Sequence, residues 1–234
     1  MKKIIRLLIN IVLISTIIFS GYNIYIKLNE YKKADEVYED IRNISTSIES
    51  NKHDELLSKN GDYRLWINIE NTNIDYPVVQ GNDNEYYLTH DFNKNYLASG
   101  SIFMDYRNDF AKDNSVIIYG HHMRNKTMFG ELTNFKKEEF FNKNNLITIE
   151  DKDHTYTYEV FSVYVADLNN DDYLKVHFED DKSHKNYLDY IKNRSLYKKD
   201  INLSTNDKIL TLYTCSYEFK NARTIVHAKL ISTK

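Results

Sequence analysis

The sequence has few of the residues that cross-link a chain or interrupt its regular structure. Cys215 is its only cysteine, so no disulfide can form within the chain. It has one proline and six glycines, against twenty tyrosines and eleven phenylalanines. This composition argues against a disordered chain and favours a folded domain rich in β-strands. Once a membrane segment is set aside, the length suits one domain of about 170–180 residues.

An excess of positive charge is also absent. The formal net charge is −3 at pH 7, so no nucleic-acid partner is expected. The chain has no HExxH pattern and no cysteine pair, and its histidines are not at metal-ligand spacing. We therefore expect neither a metal nor a cofactor.

The one long apolar run lies at the N-terminus. Lys2, Lys3 and Arg6 precede an apolar stretch over residues 7–26, long enough to cross about 30 Å of hydrocarbon as a helix. A cleaved signal peptide is the alternative, but the run exceeds roughly 7–15 residues and no small-residue cleavage site follows it. The positive charges predict a cytoplasmic tail over residues 1–6 and the rest of the chain outside the cell. A single-pass protein of the cell membrane is expected.

Residues 27–59 have apolar positions at helical spacing, including Ala34, Tyr38, Ile41 and Ile44. This periodicity predicts one or two amphipathic helices, which would serve as a spacer and buttress. The folded domain is then expected over residues 60–234.

From Tyr63 onward, short apolar alternations are separated by Asn, Asp and Gly turns. They predict about eight strands. Two of them, joined by an Asn-rich turn, lie in RLWINIENTNIDYPVVQ, and the others lie in SGSIFMDYR, NSVIIYG, NLITIED, HTYTYEVFSVYVAD, DKILTLYTC and ARTIVHAKLI. MFGELTNFKKEEFFNKN and SHKNYLDYIKNRSLY are predicted to be helical. Strands at this spacing indicate a closed barrel or a sandwich.

Cys215 ends one predicted strand, and Arg223 begins the next after the loop SYEFKNA. An antiparallel hairpin would place the two residues opposite each other. By alternation, Cys215 shares a face with Tyr213, and Arg223 shares a face with His227. These faces need not point into the core, so His227 is expected at the surface.

A histidine pair, His121 and His122, follows the strand SVIIYG. A thiol is mostly protonated at neutral pH, and a neighbouring imidazole can accept its proton. Attack on an amide creates an oxyanion that an arginine can stabilise, and the imidazole can then protonate the leaving amine. Cysteine, histidine and arginine therefore suffice for acyl transfer from a peptide bond. An anchored binding module with an incidental cysteine is the alternative outside enzymes.

At these residues the sequence resembles the sortases, and class B sortases in particular. TLYTC is similar to the TLxTC box of that family, YGHHM to its strand-end histidine motif, and Arg223 lies in the expected next strand. NIDYPVVQGNDNEYYL, GSIFMDYRN and TMFGEL extend the similarity over nearly all of residues 60–232. The motifs are specific because they occur together and in order.

The resemblance implies an eight-stranded sortase β-barrel, mostly β, with N-terminal helices and a helix inserted before the cysteine strand. It also implies a transpeptidase that cleaves the C-terminal sorting signal of surface proteins after threonine. Cys215 would hold the acyl group as a thioester and pass it to an amine of peptidoglycan or of another protein. His121 would carry the proton, and Arg223 would stabilise the oxyanion or orient the substrate. An endopeptidase that releases the acyl group to water is the alternative.

The resemblance further implies a substrate groove beside the nucleophile. Its predicted lining residues are Asn84, Leu88, Tyr173, Leu174, Tyr213 and Thr214. Tyr213 stands where several class B enzymes have serine, so its bulk could narrow the groove. Asp105 is a candidate to orient His121 as a third triad member, although a turn-capping role explains an aspartate there equally well.

Overall fold

The computed structural model describes residues 2–47, 52–169 and 174–234. The chain begins with one continuous helix, α1 (Lys2–Ser47), followed by α2 (Lys52–Lys59). α1 runs without a break past residue 26, where the sequence predicted that a membrane span gives way to a spacer. Within the described ranges it is the one helix long and apolar enough to cross a membrane, a test of length and composition that a signal sequence also passes.

The C-terminal part of α1 packs on the domain that follows it. Ala34, Tyr38 and Ile41 recur at three and four residues and are at most 4% exposed, whereas the large apolar side chains from Ile4 to Leu28 are exposed. The Tyr38 hydroxyl also donates a hydrogen bond to the main-chain carbonyl of Gly100, at 2.7 Å. The predicted helical stripe therefore becomes a contact face that fixes the helix to the domain.

A closed β-barrel forms the body of the domain. Its strands in the described residues are β1 (Tyr63–Asn68), β2 (Asp75–Val79), β3 (Ile102–Met104), β4 (Ser115–Tyr119), β5 (Leu146–Glu150), β6 (Thr155–Asp167), β7 (Ile209–Cys215) and β8 (Ala222–Thr233). They pair in the order β1-β2-β3-β4-β7-β8-β6-β5, and β5 pairs with β1 to close the barrel. Neighbours are antiparallel except for β2–β3 and β4–β7, which are parallel. This confirms the predicted fold class, a closed eight-stranded barrel that is mostly β.

Helices cover parts of this barrel. Two 3-10 segments (Tyr86–Leu88 and Gly130–Lys136) and α3 (Glu138–Lys143) lie in the connections. α4 (Asp181–Asn193) precedes β7, which confirms the predicted inserted helix, and it begins with a capping box formed by Asp180 and Ser183. Its buried Tyr187, Leu188 and Ile191 pack against Phe161 and Ile209 on the outer face of the sheet.

The expectation that His227 lies at the surface is wrong. Its side chain is fully buried, with Nδ1 2.9 Å from the Thr211 hydroxyl and Nε2 3.0 Å from the Tyr164 hydroxyl. The ring of Tyr187 in α4 lies edge-on to its imidazole. Because α4 covers this face of β8, burial lowers the pKa of His227 to about 3.

Burial of neutral His227 predicts a loss of stability in mild acid. The unfolded chain binds a proton at His227 near pH 6.5 and the folded chain only near pH 3, so stability falls as pH drops below 6.5. A His227→Gln variant does not titrate, so its stability deficit relative to wild type should shrink as pH falls, with a slope that approaches about 1.4 kcal/mol per pH unit below pH 6.5. Urea unfolding of both full-length proteins in detergent, between about pH 7 and pH 5, measures this. A deficit that stays constant over that range would contradict it.

Candidate active site

The pairing of three strands brings the predicted catalytic residues to one end of the barrel. In the β7–β8 hairpin, Cys215 lies directly opposite Arg223, as the sequence predicted. β4 pairs in parallel with β7, with Tyr119 beside Tyr213. His121 follows Tyr119 by two residues, as Cys215 follows Tyr213. The ends of β4 and β7 therefore deliver His121 and Cys215 to the same edge of the sheet.

Cys215 is a free, partly exposed thiol at the last position of β7. Thr214, the residue before it, points to the opposite face and is fully buried. Its hydroxyl donates to the main-chain carbonyl of Gly120, at 2.7 Å. Thr214 thus fastens the cysteine strand to the histidine strand, and its side chain is turned away from the predicted substrate groove.

The two adjacent histidines have different partners. His121 donates from Nε2 to the main-chain carbonyl of Leu88, at 2.8 Å. His122 donates from Nδ1 to the main-chain carbonyl of Cys215, at 2.9 Å. Because a carbonyl oxygen can only accept, the proton of neutral His121 lies on Nε2 and that of neutral His122 on Nδ1. His121 is therefore left with Nδ1 as its proton-accepting atom.

Arg223 is held by the side chain of Tyr213. Its Nε donates to the Tyr213 hydroxyl at 2.6 Å, and its guanidinium lies 5.8 Å from the centre of the Tyr213 ring. A second nitrogen donates to the main-chain carbonyl of Ala222, at 2.9 Å. These contacts fix the plane of the guanidinium beside Cys215.

Tyr213 in turn contacts a buried polar cluster. Its ring packs edge-on against Tyr119, whose hydroxyl donates to Asp105 at 2.8 Å. Arg107 forms a two-pronged pair with the same carboxylate, and Asn84 donates to it at 3.0 Å. Burial opposes ionisation of Asp105, but the hydrogen bonds from these partners outweigh it and lower its pKa to about 2. Asp105 is therefore an anion at neutral pH.

The predicted role of Asp105 as the residue that orients His121 is not supported by its contacts. Both carboxylate oxygens are engaged by Arg107, Tyr119 and Asn84, and the hydrogen-bond partner of His121 in the described residues is Leu88. The orienting group is thus a main-chain carbonyl, which no residue type in the sequence could have indicated.

The predicted groove residues make different contacts around Cys215, His121 and Arg223. Asn84 uses its amide nitrogen on Asp105 and its oxygen to accept from the Tyr106 N–H, so it ties two loops together. Leu88 has an exposed side chain next to the carbonyl that holds His121. Leu174 and Tyr213 pack against one small buried cluster of Tyr164, Ala166 and Ile225. Tyr173 lies outside the described residues.

The loop after Cys215 is held by a cluster that sequence reasoning missed. The Glu218 carboxylate accepts from Lys136 and from the Ser216 hydroxyl. Thr224 donates to the same hydroxyl at 3.0 Å. Burial opposes ionisation of Glu218, but Lys136 and Ser216 lower its pKa to about 2. Ser216, the residue after Cys215, is thereby fixed by a lysine far away in the sequence.

Three comparisons with known proteins bear on this site. A family model described as Sortase domain matches residues 67–231. Sortase B of Staphylococcus aureus is 35% identical over 96% of each chain. A crystal structure of sortase B from Clostridium perfringens has 46% identity and a TM-score of 0.74, covering 76% of this chain and 99% of that one. A Staphylococcus aureus sortase B–substrate complex has 33% identity and a TM-score of 0.79, covering 87% and 98%.

The barrel, the motifs and these similarities together show that the chain belongs to the sortase family of cysteine transpeptidases. Within that family it resembles class B, since these relatives, found by sequence and by structure, are sortases B at 33–46% identity. In the parts of the chain that the structure describes, no group of three or more His, Cys, Asp or Glu side chains is arranged to hold a metal ion.

The cluster around Asp105 predicts a stability loss on neutralisation. Asp105→Asn keeps the shape of the side chain but removes the charge that Arg107 faces, so the free energy of unfolding should fall by about 2 kcal/mol at neutral pH. The lowered pKa of Asp105 means that this contribution is present above pH 3.8 and is lost as pH falls towards 2. Urea unfolding measures it, with the exposed Asp153→Asn as the matched control. Equal stability of the two variants at neutral pH would refute the role given to the cluster.

Proposed function

We propose that this protein is a membrane-anchored transpeptidase that attaches surface proteins to the cell wall through a thioester on Cys215. The observation that carries the proposal is the placement of Cys215 opposite Arg223, at the end of the strand that pairs with the one leading to His121. This placement supports the proposed roles of Cys215 as nucleophile, His121 as proton carrier and Arg223 as the stabilising cation.

In the first half of the reaction, His121 accepts the thiol proton of Cys215, and the sulfur attacks the main-chain carbonyl carbon of the threonine in the sorting signal. The new C–S bond creates an oxyanion, which the guanidinium of Arg223 stabilises. When the C–N bond breaks, His121 protonates the departing amine. The products are a thioester on Cys215 and the released C-terminal peptide.

In the second half, an amine takes the place of the departed peptide. Its nitrogen attacks the thioester, the C–S bond breaks and a new amide forms, while His121 accepts the amine proton and returns it to the sulfur. The proposed acceptor is a peptidoglycan amine. Water in its place would give hydrolysis, the endopeptidase alternative.

The proposed groove for the sorting signal runs past His121 and Cys215. Leu88 has an exposed side chain beside the carbonyl that holds His121. Leu174 and Tyr213 share a packing cluster on the other side. We include Asn84 as a support of this groove through Tyr106, and keep Tyr173 as a predicted wall. Thr214 is left out because its side chain is buried.

The proposed location is the cell membrane, with one span and an extracellular catalytic domain. The support is the apolar run over residues 7–26 of α1, its exposed side chains, and the lysines and arginine at the N-terminal end of the helix. Because α1 continues as one helix onto the barrel, the catalytic domain would stand close to the membrane. Surface proteins whose sorting signals are still held at the membrane would meet the enzyme there.

A Cys215→Ala variant tests the proposed function. The full-length protein in detergent is incubated with a panel of fluorogenic peptides carrying candidate sorting motifs, with and without an amine acceptor. Wild type should cleave at least one peptide and form a thioester adduct on Cys215 visible by mass spectrometry, and Cys215→Ala should do neither. The mass of the product with acceptor present separates transpeptidation from hydrolysis.

Two outcomes would overturn the proposal. Cleavage retained by Cys215→Ala would show that the thiol is not the nucleophile. If the acyl product is always the hydrolysed acid and never the amide, even at saturating acceptor, the protein is an endopeptidase and not a transpeptidase. Circular dichroism of the variant shows whether its fold is intact.

A second prediction concerns the support of Arg223 by Tyr213. Tyr213→Phe removes the hydroxyl that accepts from Arg223 Nε, so the guanidinium is less well fixed when charge develops on the substrate. We expect kcat to fall about 10-fold with KM changed little, since the bond matters most in the transition state. Tyr156→Phe is the matched control because it also loses a hydroxyl bond, to Asp151, but in the part of β6 far from Arg223. An unchanged kcat in Tyr213→Phe would remove this role.

A further inference from the structure

The segment that carries His121 is bound to the cysteine strand on both sides of the histidine. Before His121, the Gly120 N–H donates to the Tyr213 carbonyl at 3.1 Å, and the Gly120 carbonyl accepts from Thr214. After it, His122 donates to the Cys215 carbonyl. His121 therefore lies between two points of attachment to the strand of the nucleophile.

The bond from His122 takes the place of a missing ladder bond. Ser216 N–H donates to the Ala222 carbonyl, so the neighbouring pair of Cys215 and Arg223 is a non-hydrogen-bonded pair of the hairpin. The main-chain carbonyl of Cys215 consequently points away from β8 and towards the β4 side. A regular parallel ladder continuing from Gly120 would place the N–H of residue 122 on that carbonyl. Because β4 ends at Tyr119, the ladder does not continue to residue 122. The imidazole Nδ1 of His122 donates to the Cys215 carbonyl instead.

The surroundings of His122 hold its ring in this position. It is part-buried, and the ring of Tyr217 lies 5.0 Å from it, centre to centre. Tyr217 belongs to the loop that Glu218 and Lys136 fix. The donor is therefore constrained by the chain that precedes the ring and by the loop that follows the nucleophile.

We propose that His122 is a positioning residue for the transfer reaction, extending the β4–β7 ladder by one side-chain bond so that His121 and Cys215 keep a fixed separation. The inference rests on the proposed function, because it assigns His121 as proton carrier and Cys215 as nucleophile. His122 does not contact the reacting atoms in this role. A misplacement of about 1 Å between catalytic groups can cost on the order of 100-fold in rate, so one such bond matters.

A pair of variants of equal shape isolates the donor. In asparagine, the amide nitrogen is separated from Cα by the same number of bonds as Nδ1 of histidine, so His122→Asn can keep the bond. Leucine has the branched shape of asparagine and no donor, so His122→Leu cannot. His122→Asn should retain kcat within about 3-fold, and His122→Leu should lose on the order of 10–100-fold in kcat with KM little changed.

Alkylation of the thiol supplies a readout that does not depend on any peptide substrate. Cys215 is the only cysteine, so the rate of reaction with iodoacetamide reports on it alone. The rate in His122→Leu should move towards that of His121→Ala, and the rate in His122→Asn should stay near wild type. Thermal unfolding of the three full-length variants in detergent shows whether a loss of fold contributes.

The outcomes distinguish a positioning role of His122 from no role and from a proton-transferring role. Wild-type kcat and alkylation in both His122 variants would overturn the proposal. A loss in His122→Asn as large as in His121→Ala would also overturn it, because a proton-transferring role for His122 would then be required. If wild type cleaves no peptide and forms no thioester, the proposed function fails. The alkylation rates still decide whether His122 affects the reactivity of the Cys215 thiol.

Discussion

The parallel pairing of β4 with β7 is the constraint on which the site depends. Parallel strands end at the same edge of a sheet, so this pairing brings the residues after Tyr119 and the end of β7 together although they are far apart in the sequence. The hairpin to β8 then adds Arg223 opposite Cys215. A slip of one residue between β4 and β7 would turn the side chains of β4, and with them the direction in which the chain reaches His121, to the other face.

Much of this fold follows from the sequence, and the reason is local. Alternation with period two gives the strands, and the short loop between TLYTC and ARTIV gives a hairpin whose register sets Cys215 against Arg223. The closeness of His121 does not follow in this way, because alternation does not say which strands become neighbours. It came from the resemblance to a family. His227 shows the same limit, since alternation assigns it a face but cannot say that α4 will cover that face.

The hydrogen bonds that orient the two histidines could not be predicted from the sequence for a further reason. His121 is oriented by the carbonyl of Leu88, and the Cys215 carbonyl is the acceptor for His122. Every residue has a main-chain carbonyl, so such acceptors leave no trace in residue type. Asp105 illustrates the converse. An aspartate at this position suggested that it orients His121. Its carboxylate instead accepts hydrogen bonds from Arg107 and Tyr119, and the ring of Tyr119 packs against Tyr213.

The role of Tyr213, two residues before Cys215, follows from the geometry of the hairpin. Tyr213 pairs with Ile225 and Cys215 pairs with Arg223, so Tyr213 and Arg223 are diagonal neighbours on one face. The Cα atoms of such neighbours are about 7–8 Å apart, a distance that a long side chain spans and a serine does not. Tyr213 reaches Arg223 Nε and holds the guanidinium before substrate arrives. In the role proposed for Arg223, a donor fixed in advance needs no reorganisation when the oxyanion forms. The departure from serine at this position therefore gives Arg223 a support that a serine would be too short to provide.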